Sequence, residues 1–259
     1  MLDEYEEFKK NFLLLSGLDL NCYKETQMKR RILSFMGRHQ CENLQAFFQL
    51  IKRNGDIYNT FITYLTINVS EFYRNPAQWK TLEDIIIPHL LKNSKKSIRI
   101  WSAACSTGDE PYSLAMVFSD FYPLEQIEII ATDMDKEVLD IAKKGCYHTK
   151  SIKSLPEKYR KKFLRQDTSG FYHVSDSLKQ CITFREHNLL TDTYPGNLDL
   201  VVCRNVLIYF TEEAKDQIYK GISQSLKKDG VLFVGSTEQI IGSDVFGLET
   251  FQSFFYRKI

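Results

Sequence analysis

The sequence predicts a small all-helical N-terminal domain followed by an α/β domain built on a mainly parallel, Rossmann-like sheet. Three observations point there. Residues 1–75 repeat apolar positions at helical spacing and carry few strand signals. From residue 98 onward, short apolar runs alternate with amphipathic stretches, the βα pattern of a sheet covered on both faces. The composition is that of a globular chain: 259 residues, 43% hydrophobic and 26% charged, with a formal net charge of +1. Those values exclude a disordered chain, a collagen-like fibre and a membrane-inserted protein, and the charge balance argues against a nucleic-acid binder. The acidic start lacks the basic and apolar segments of a leader, and the six cysteines form no Cys-x-x-Cys pair. The five histidines show no metal-ligand spacing. A reduced, cytoplasmic protein is the expectation.

The elements follow in order. Phe8, Phe12 and Leu15 share one helical face, as do Met28, Ile32, Phe35 and Met36. Phe47, Phe48 and Ile51 mark a third helix, and residues 57–65 a fourth. Pro76 disfavours an uninterrupted helix through the residue before it, so the boundary is set there, giving domains 1–75 and 76–259. Residues 79–91 read as a helix, with Pro88 and the polar run 92–97 marking a turn. Residues 98–101 form a strand that ends in Ser102, Ala103 and Ala104; 110–121 are helical; 127–132 form a second strand ending at Asp133. A helix over 136–144 comes next, then strands at 181–184 and 198–202, a helix around 212–226, and strands at 230–234 and 251–257. No full crossover separates the last two strands, so that edge is expected to be antiparallel. Residues 150–185 interrupt the alternation, and 171–174 with 182–184 suggest a small β-hairpin insert.

Ligands of open α/β sheets sit at the carboxyl ends of the strands. After the first strand runs Ala103-Ala104-Cys105-Ser106-Thr107-Gly108-Asp109-Glu110-Pro111, a small-residue turn into a helix. Asp133, 23 residues beyond Glu110, either accepts both hydroxyls of a ribose or closes a strand-end turn. Glu110 is either a cofactor acid or the partner of Thr107 in a capping box. Gly108 is the lone glycine of this turn, so Gly-x-Gly-x-x-Gly is absent and a pyrophosphate would be poorly cradled. That disfavours a NAD-dependent oxidoreductase and favours a nucleoside without phosphates, with S-adenosylmethionine the natural candidate.

Three long motifs then carry a resemblance. Residues Thr66-Ile67-Asn68-Val69-Ser70-Glu71-Phe72-Tyr73-Arg74, the stretch from Trp101 through Ser113, and Cys203-Arg204-Asn205-Val206-Leu207-Ile208-Tyr209-Phe210 resemble, in order, the motifs of the CheR-type chemotaxis receptor methyltransferases. Ser70 stands where Thr is usual and Asp109 where Glu is common. The resemblance implies a class I S-adenosylmethionine methyltransferase domain, with the β insert as a subdomain. It also implies a protein-glutamate O-methyltransferase of chemotactic signal transduction. Its methyl acceptors would be glutamate side chains on the cytoplasmic domains of chemoreceptors, giving glutamyl 5-O-methyl esters and S-adenosylhomocysteine. By the same resemblance Glu110 and Asp133 hold polar groups of the cofactor, and Asn68, Ser70 and Arg74 line its pocket. Asn188 and Leu189 sit by the adenine, Asn205 and Val206 near the methionine moiety, and Arg74 and Tyr209 flank the methyl donor as catalytic residues. The plainer readings are that Arg74 pairs with a nearby acid and that Tyr209 is packed aromatic bulk. A non-catalytic cofactor-binding adaptor is the alternative function.

Local charge is uneven. Lys24, Lys29, Arg30, Arg31 and Arg38 crowd one predicted helix, and Lys24, Arg31 and Arg38 recur every seventh residue. By the resemblance, Lys24, Arg30, Arg31 and Arg38 form a docking patch for acidic receptor helices. Residues 143–165 hold nine Lys or Arg and one acid, whereas 109–140 hold nine acids and one Lys.

Overall fold

The structure is a computed structural model and describes residues 2–93 and 96–259. Two residues of the polar run expected as a turn, Ser94 and Lys95, lie outside the described residues. The chain divides into two compact units. One comprises the chain up to Asn68 together with Ile208–Asp216, and the other Val69–Leu207 together with Gln217–Ile259.

The first unit holds helices α1 (Leu2–Ser16), α2 (Glu25–Arg38), α3 (Leu44–Arg53) and α4 (Gly55–Thr66). Asn43 and Asn54 start α3 and α4 by accepting backbone N–H groups of the first turn. Phe8, Phe12, Phe35, Phe47 and Phe61 are buried together. The Phe47 and Phe61 rings meet edge-on at 4.9 Å, a preferred aromatic geometry. A distant segment completes this unit. The Lys24 N–H donates to the Tyr209 carbonyl and the Thr211 N–H to the Cys22 carbonyl, both at 2.9 Å. The Tyr23 and Phe210 rings lie 4.7 Å apart. The expected boundary at 75/76 falls later than the division at 68/69, because Phe72 and Tyr73 are buried in the core of the second unit.

In the second unit, α5 (Pro76–Thr81), a π-helical turn (Leu82–Ile86) and α6 (Ile87–Asn93) run on as one helical stretch. Pro88 therefore lies inside a helix and not at a turn. It lacks an N–H to donate, and the wider π turn before it absorbs the mismatch. Next come β1 (Ile98–Ala103), α7 (Asp109–Phe118), β2 (Ile127–Asp133) and α8 (Lys136–Lys144). The insert holds β3 (Cys146–Tyr147), α9 (Glu157–Phe163), β4 (Leu164–Gln166) and β5 (Tyr172–Val174). After α10 (Asp176–Lys179) follow β6 (Ile182–Glu186), β7 (Leu198–Cys203), α11 (Glu212–Ser225), β8 (Leu226–Val234), β9 (Leu248–Gln252) and β10 (Phe255–Lys258).

The large sheet has the order β6-β2-β1-β7-β8-β10-β9. Its first five strands are parallel, and β10 pairs antiparallel with both β8 and β9. This α/β sheet with an antiparallel edge is the architecture the sequence predicts. β1 and β7 are buried along nearly their whole length, as a central parallel strand covered on both faces must be.

Two details differ from expectation. The single final strand is a β9–β10 hairpin, turned at Phe254 with φ 69° and with neither Gly nor Asn in the turn. The insert is a three-stranded antiparallel sheet, β3-β5-β4, and residues 182–184 belong to the large sheet through β6. Ile182 registers with Ile129, so that strand's apolar character serves a distant pairing and not a local hairpin.

Candidate cofactor site

The carboxyl ends of β1, β2 and β7 carry a dense group of polar residues. The β1–α7 loop follows an unusual backbone path, with Ala104 at φ 59° and Ser106 at φ 48°. Left-handed residues other than Gly and Asn cost roughly 1–3 kcal/mol each and persist where their surroundings enforce them. Asp133 supplies part of that enforcement. Its Oδ2 accepts the Ser106 N–H at 2.8 Å, and its Oδ1 the Asp135 N–H at 3.0 Å. Gly108, at φ 89°, has no room for a side chain. An added Cβ would lie 2.8 Å from the Ala142 Cβ of α8 and 3.0 Å from the Tyr147 hydroxyl. This glycine serves close packing of the loop on α8.

Glu110 does not form the capping box that its spacing from Thr107 allowed. Thr107 Oγ1 instead donates to Asp109 at 2.6 Å, and the Ser70 hydroxyl also bonds the Asp109 carboxyl. Glu110 accepts the Ser102 hydroxyl at 2.9 Å and Arg204 Nη1 at 3.3 Å. Burial raises the carboxyls of Glu110 and Asp109, and pushes Asp133 up to about 6. The buried Cys105 thiol is raised by burial first and by the nearby Asp133 and Glu110 carboxylates.

Residues beyond β6 come next to Asp133, since the His187 N–H donates to the Asp133 carbonyl at 3.0 Å. The His187 ring packs edge-on to Trp101 and Tyr194. Asn188 Oδ1 closes a short turn by accepting the Leu190 N–H, and the Tyr194 hydroxyl holds the Leu189 carbonyl. Beyond β7, Asn205 sits at φ 61°, with its N–H on Glu238 Oε2 at 2.6 Å. Glu238 also accepts the Gly235 and Leu207 N–H groups, so one buried carboxylate staples the ends of β7 and β8. Val206 is half-buried in the same loop.

Arg74 Nη1 donates to the Val69 carbonyl at 3.0 Å, while its own carbonyl accepts from Trp79 Nε1 and Arg204 Nη2. Asn68 and Tyr209 belong to the first unit. There, Asn68 donates to Thr66 Oγ1 at 2.9 Å, and Tyr209 sits in a short 3₁₀ turn (Leu207–Tyr209), near enough for its hydroxyl to act electrostatically on Arg31. Glu110, Asp133, Ser70, Arg74, Asn188, Leu189, Asn205 and Val206 thus fall in the second unit, around its strand ends and the 69–74 segment. Arg204 and Glu238 complete this network. Neither was among the expected site residues, although Arg204 lies within the motif Cys203–Phe210.

The chain matches the all-alpha domain of the CheR methyltransferases over residues 3–66, and their SAM binding domain over residues 68–254. The chain belongs to the CheR methyltransferase family. Proteins named "Chemotaxis protein methyltransferase" from Listeria innocua and Listeria monocytogenes are each 44% identical to it, over 93% of this chain and 92% of theirs. A relative from Pseudomonas aeruginosa named "Chemotaxis protein methyltransferase 1" is 31% identical over 92% of this chain and 90% of its own.

S-adenosylmethionine is therefore the cofactor, and the residues present fit it. A family of CheR SAM binding domains needs acceptors for a ribose diol and an ammonium group, and no seat for phosphates. Buried acids at Glu110 and Asp133 suit hydroxyl and ammonium donors and would repel a pyrophosphate. The one loop glycine is committed to packing against α8. Among the described residues no cluster of His, Cys, Asp and Glu suits a metal ion, and no helix is long and apolar enough to cross a membrane.

Proposed function

We propose that this methyltransferase esterifies glutamate side chains on the cytoplasmic domains of chemoreceptors, for adaptation in chemotaxis, leaving S-adenosylhomocysteine. The names of its relatives support the pathway. The observation that carries the glutamate reading is Arg74, a guanidinium on a loop whose carbonyl is held by two donors, one of them the Arg204 that also bonds Glu110.

The chemistry asks little of the protein. A glutamate carboxylate, with a pKa near about 4.3, is ionised at neutral pH and needs no general base. The bound cofactor supplies an electrophilic methyl on a sulfonium. Asp133 would hold the ribose, Glu110 the ammonium, Asn188 and Leu189 the adenine, and Ser70, Arg74, Asn205 and Val206 the remaining wall. Arg74 would grip the incoming carboxylate by two parallel hydrogen bonds. Alignment of acceptor, methyl and sulfur is then the main source of rate. Receptor docking is assigned to the exposed cations Lys24, Arg30 and Arg38 of the first unit. Arg31 has a different job there. It donates to the Tyr64 carbonyl and stacks on the Tyr64 ring at 4.4 Å, so it mainly holds α2 on α4.

The test is incubation with methyl-labelled cofactor and a receptor cytoplasmic fragment. Base-labile label released as methanol, lost when the receptor glutamates are changed to Ala, supports the reading. Cofactor binding without transfer would overturn it in favour of an adaptor. Arg74→Ala should lower kcat by about 10²–10³-fold, a larger factor than its loss of cofactor affinity.

A further inference from the structure

Arg204 is nearly sealed from solvent, with 6% of the residue exposed. Its guanidinium lies over the Phe233 ring at 4.6 Å and the Trp79 ring at 5.9 Å. Three elements meet on it. Nη1 reaches Glu110 Oε2 of α7 at 3.3 Å, while Nη2 reaches the Arg74 carbonyl at 2.9 Å and Gln78 Oε1 of α5 at 2.7 Å. Such a planar fork can tie a carboxylate and two carbonyl oxygens at fixed angles, which a lysine cannot do.

We propose that Arg204 is a positioning residue that keeps the Glu110 carboxylate ionised for the cofactor and, through the same guanidinium, fixes the Arg74 loop that receives the substrate carboxylate. The proposal deepens the reading given above and rests on it for the roles of Glu110 and Arg74.

The surroundings of Glu110 explain why it needs such a partner. Among the described residues Arg204 is the one cation bonded to it, and the Ser102 hydroxyl is its neutral donor. Glu238 opposes its ionisation, and the buried Cys105 and Cys203 thiols lie within electrostatic reach. Burial disfavours charge on both Glu110 and Arg204, so each ion depends on the other. Without the guanidinium, Glu110 would take up a proton more readily, and the protonated acid offers the cofactor ammonium no charge. Arg74 would at the same time lose one of the two donors on its carbonyl.

Arg204→Gln and Arg204→Lys test this, compared with the unaltered protein by calorimetric titration of S-adenosylhomocysteine from pH 6 to pH 8.5. Thermal melts at each pH establish that the variants are folded. Arg204→Gln should bind product more weakly as pH falls, by up to about tenfold per unit, over a range where the unaltered protein changes much less. Arg204→Lys should restore most of that pH independence but leave kcat on receptor fragments at least about tenfold low, because a point charge does not replace the fork on the Arg74 carbonyl. Combining Arg204→Gln with Glu110→Gln should abolish the new pH dependence. A flat profile for folded Arg204→Gln would overturn the proposal. If Arg204→Gln does not fold, Arg204→Lys decides alone: normal kcat would overturn it. Should Glu110→Gln by itself leave product affinity unchanged, the cofactor role of Glu110 fails, and that outcome is distinct from a failure of Arg204 to act.

Discussion

Asp133 is held where burial pushes its carboxyl up to about 6, against about 3.9 in an unfolded chain. Between those values the folded protein binds more protons than the unfolded one. Stability therefore falls as pH rises from about 4 to about 6, and the full penalty persists above that. In Asp133→Asn that fall in stability between pH 4 and pH 6 should largely disappear, as scanning calorimetry of the cofactor-free protein would show, although the amide can replace only one of the two backbone acceptors. The same change should weaken product binding by about 10–100-fold, the worth of one hydrogen bond to a charged acceptor. Gly108→Ala is expected to cost about 2–4 kcal/mol in denaturant unfolding, because strain at positive φ adds to the collision with α8. Asp133 and Glu110 were legible in the sequence because a strand end is a position that a run of apolar residues reveals. Arg204 and Glu238 were not legible as members of the site. Their partners lie at residues 74, 78, 110, 205 and 235, and no local pattern links those positions.

At the level of elements, the central strands could be read because a buried parallel strand is apolar almost throughout. The β9–β10 hairpin could not, since its turn places Phe254 in a left-handed conformation that composition gives no hint of. The strand over 182–184 was legible as a strand but not in its pairing, because the sequence of an edge strand does not name its neighbour. The α2 helix sharpens a similar point about charge. Lys24→Glu with Arg30→Glu should lower receptor methylation about tenfold and leave the unfolding free energy within about 0.5 kcal/mol. Arg31→Glu should instead cost about 1–3 kcal/mol of stability, through loss of its bond to the Tyr64 carbonyl. Methylation assays paired with urea titrations separate the two. A destabilised double variant, or a fully stable Arg31→Glu, would reverse the assignment.

Across the molecule, the net charge of +1 conceals blocks of opposite sign: nine cations with one acid over 143–165, and nine acids with one cation over 109–140. Part of the basic block is already paired, as in Lys158 with Asp120 at 2.7 Å. If exposed cations guide the receptor, raising salt from 50 to 300 mM should slow receptor methylation several-fold, while product affinity in the buried site changes far less. Equal salt sensitivity of both would count against steering. The segment 208–216 lies far in sequence from the helices it completes. The two matched regions, 3–66 and 68–254, abut so neatly that their seam resembles a ready point for gene recombination. Yet a front half transplanted from a relative would arrive with its Tyr23 and Lys24 and without the Phe210 and Tyr209 that complete it. Its complement is written far downstream, inside the other half's reading frame. Lineages that exchange the helical part therefore keep it only where the recipient carries a matching downstream segment, and a chimera whose partner differs there must swap that segment as well.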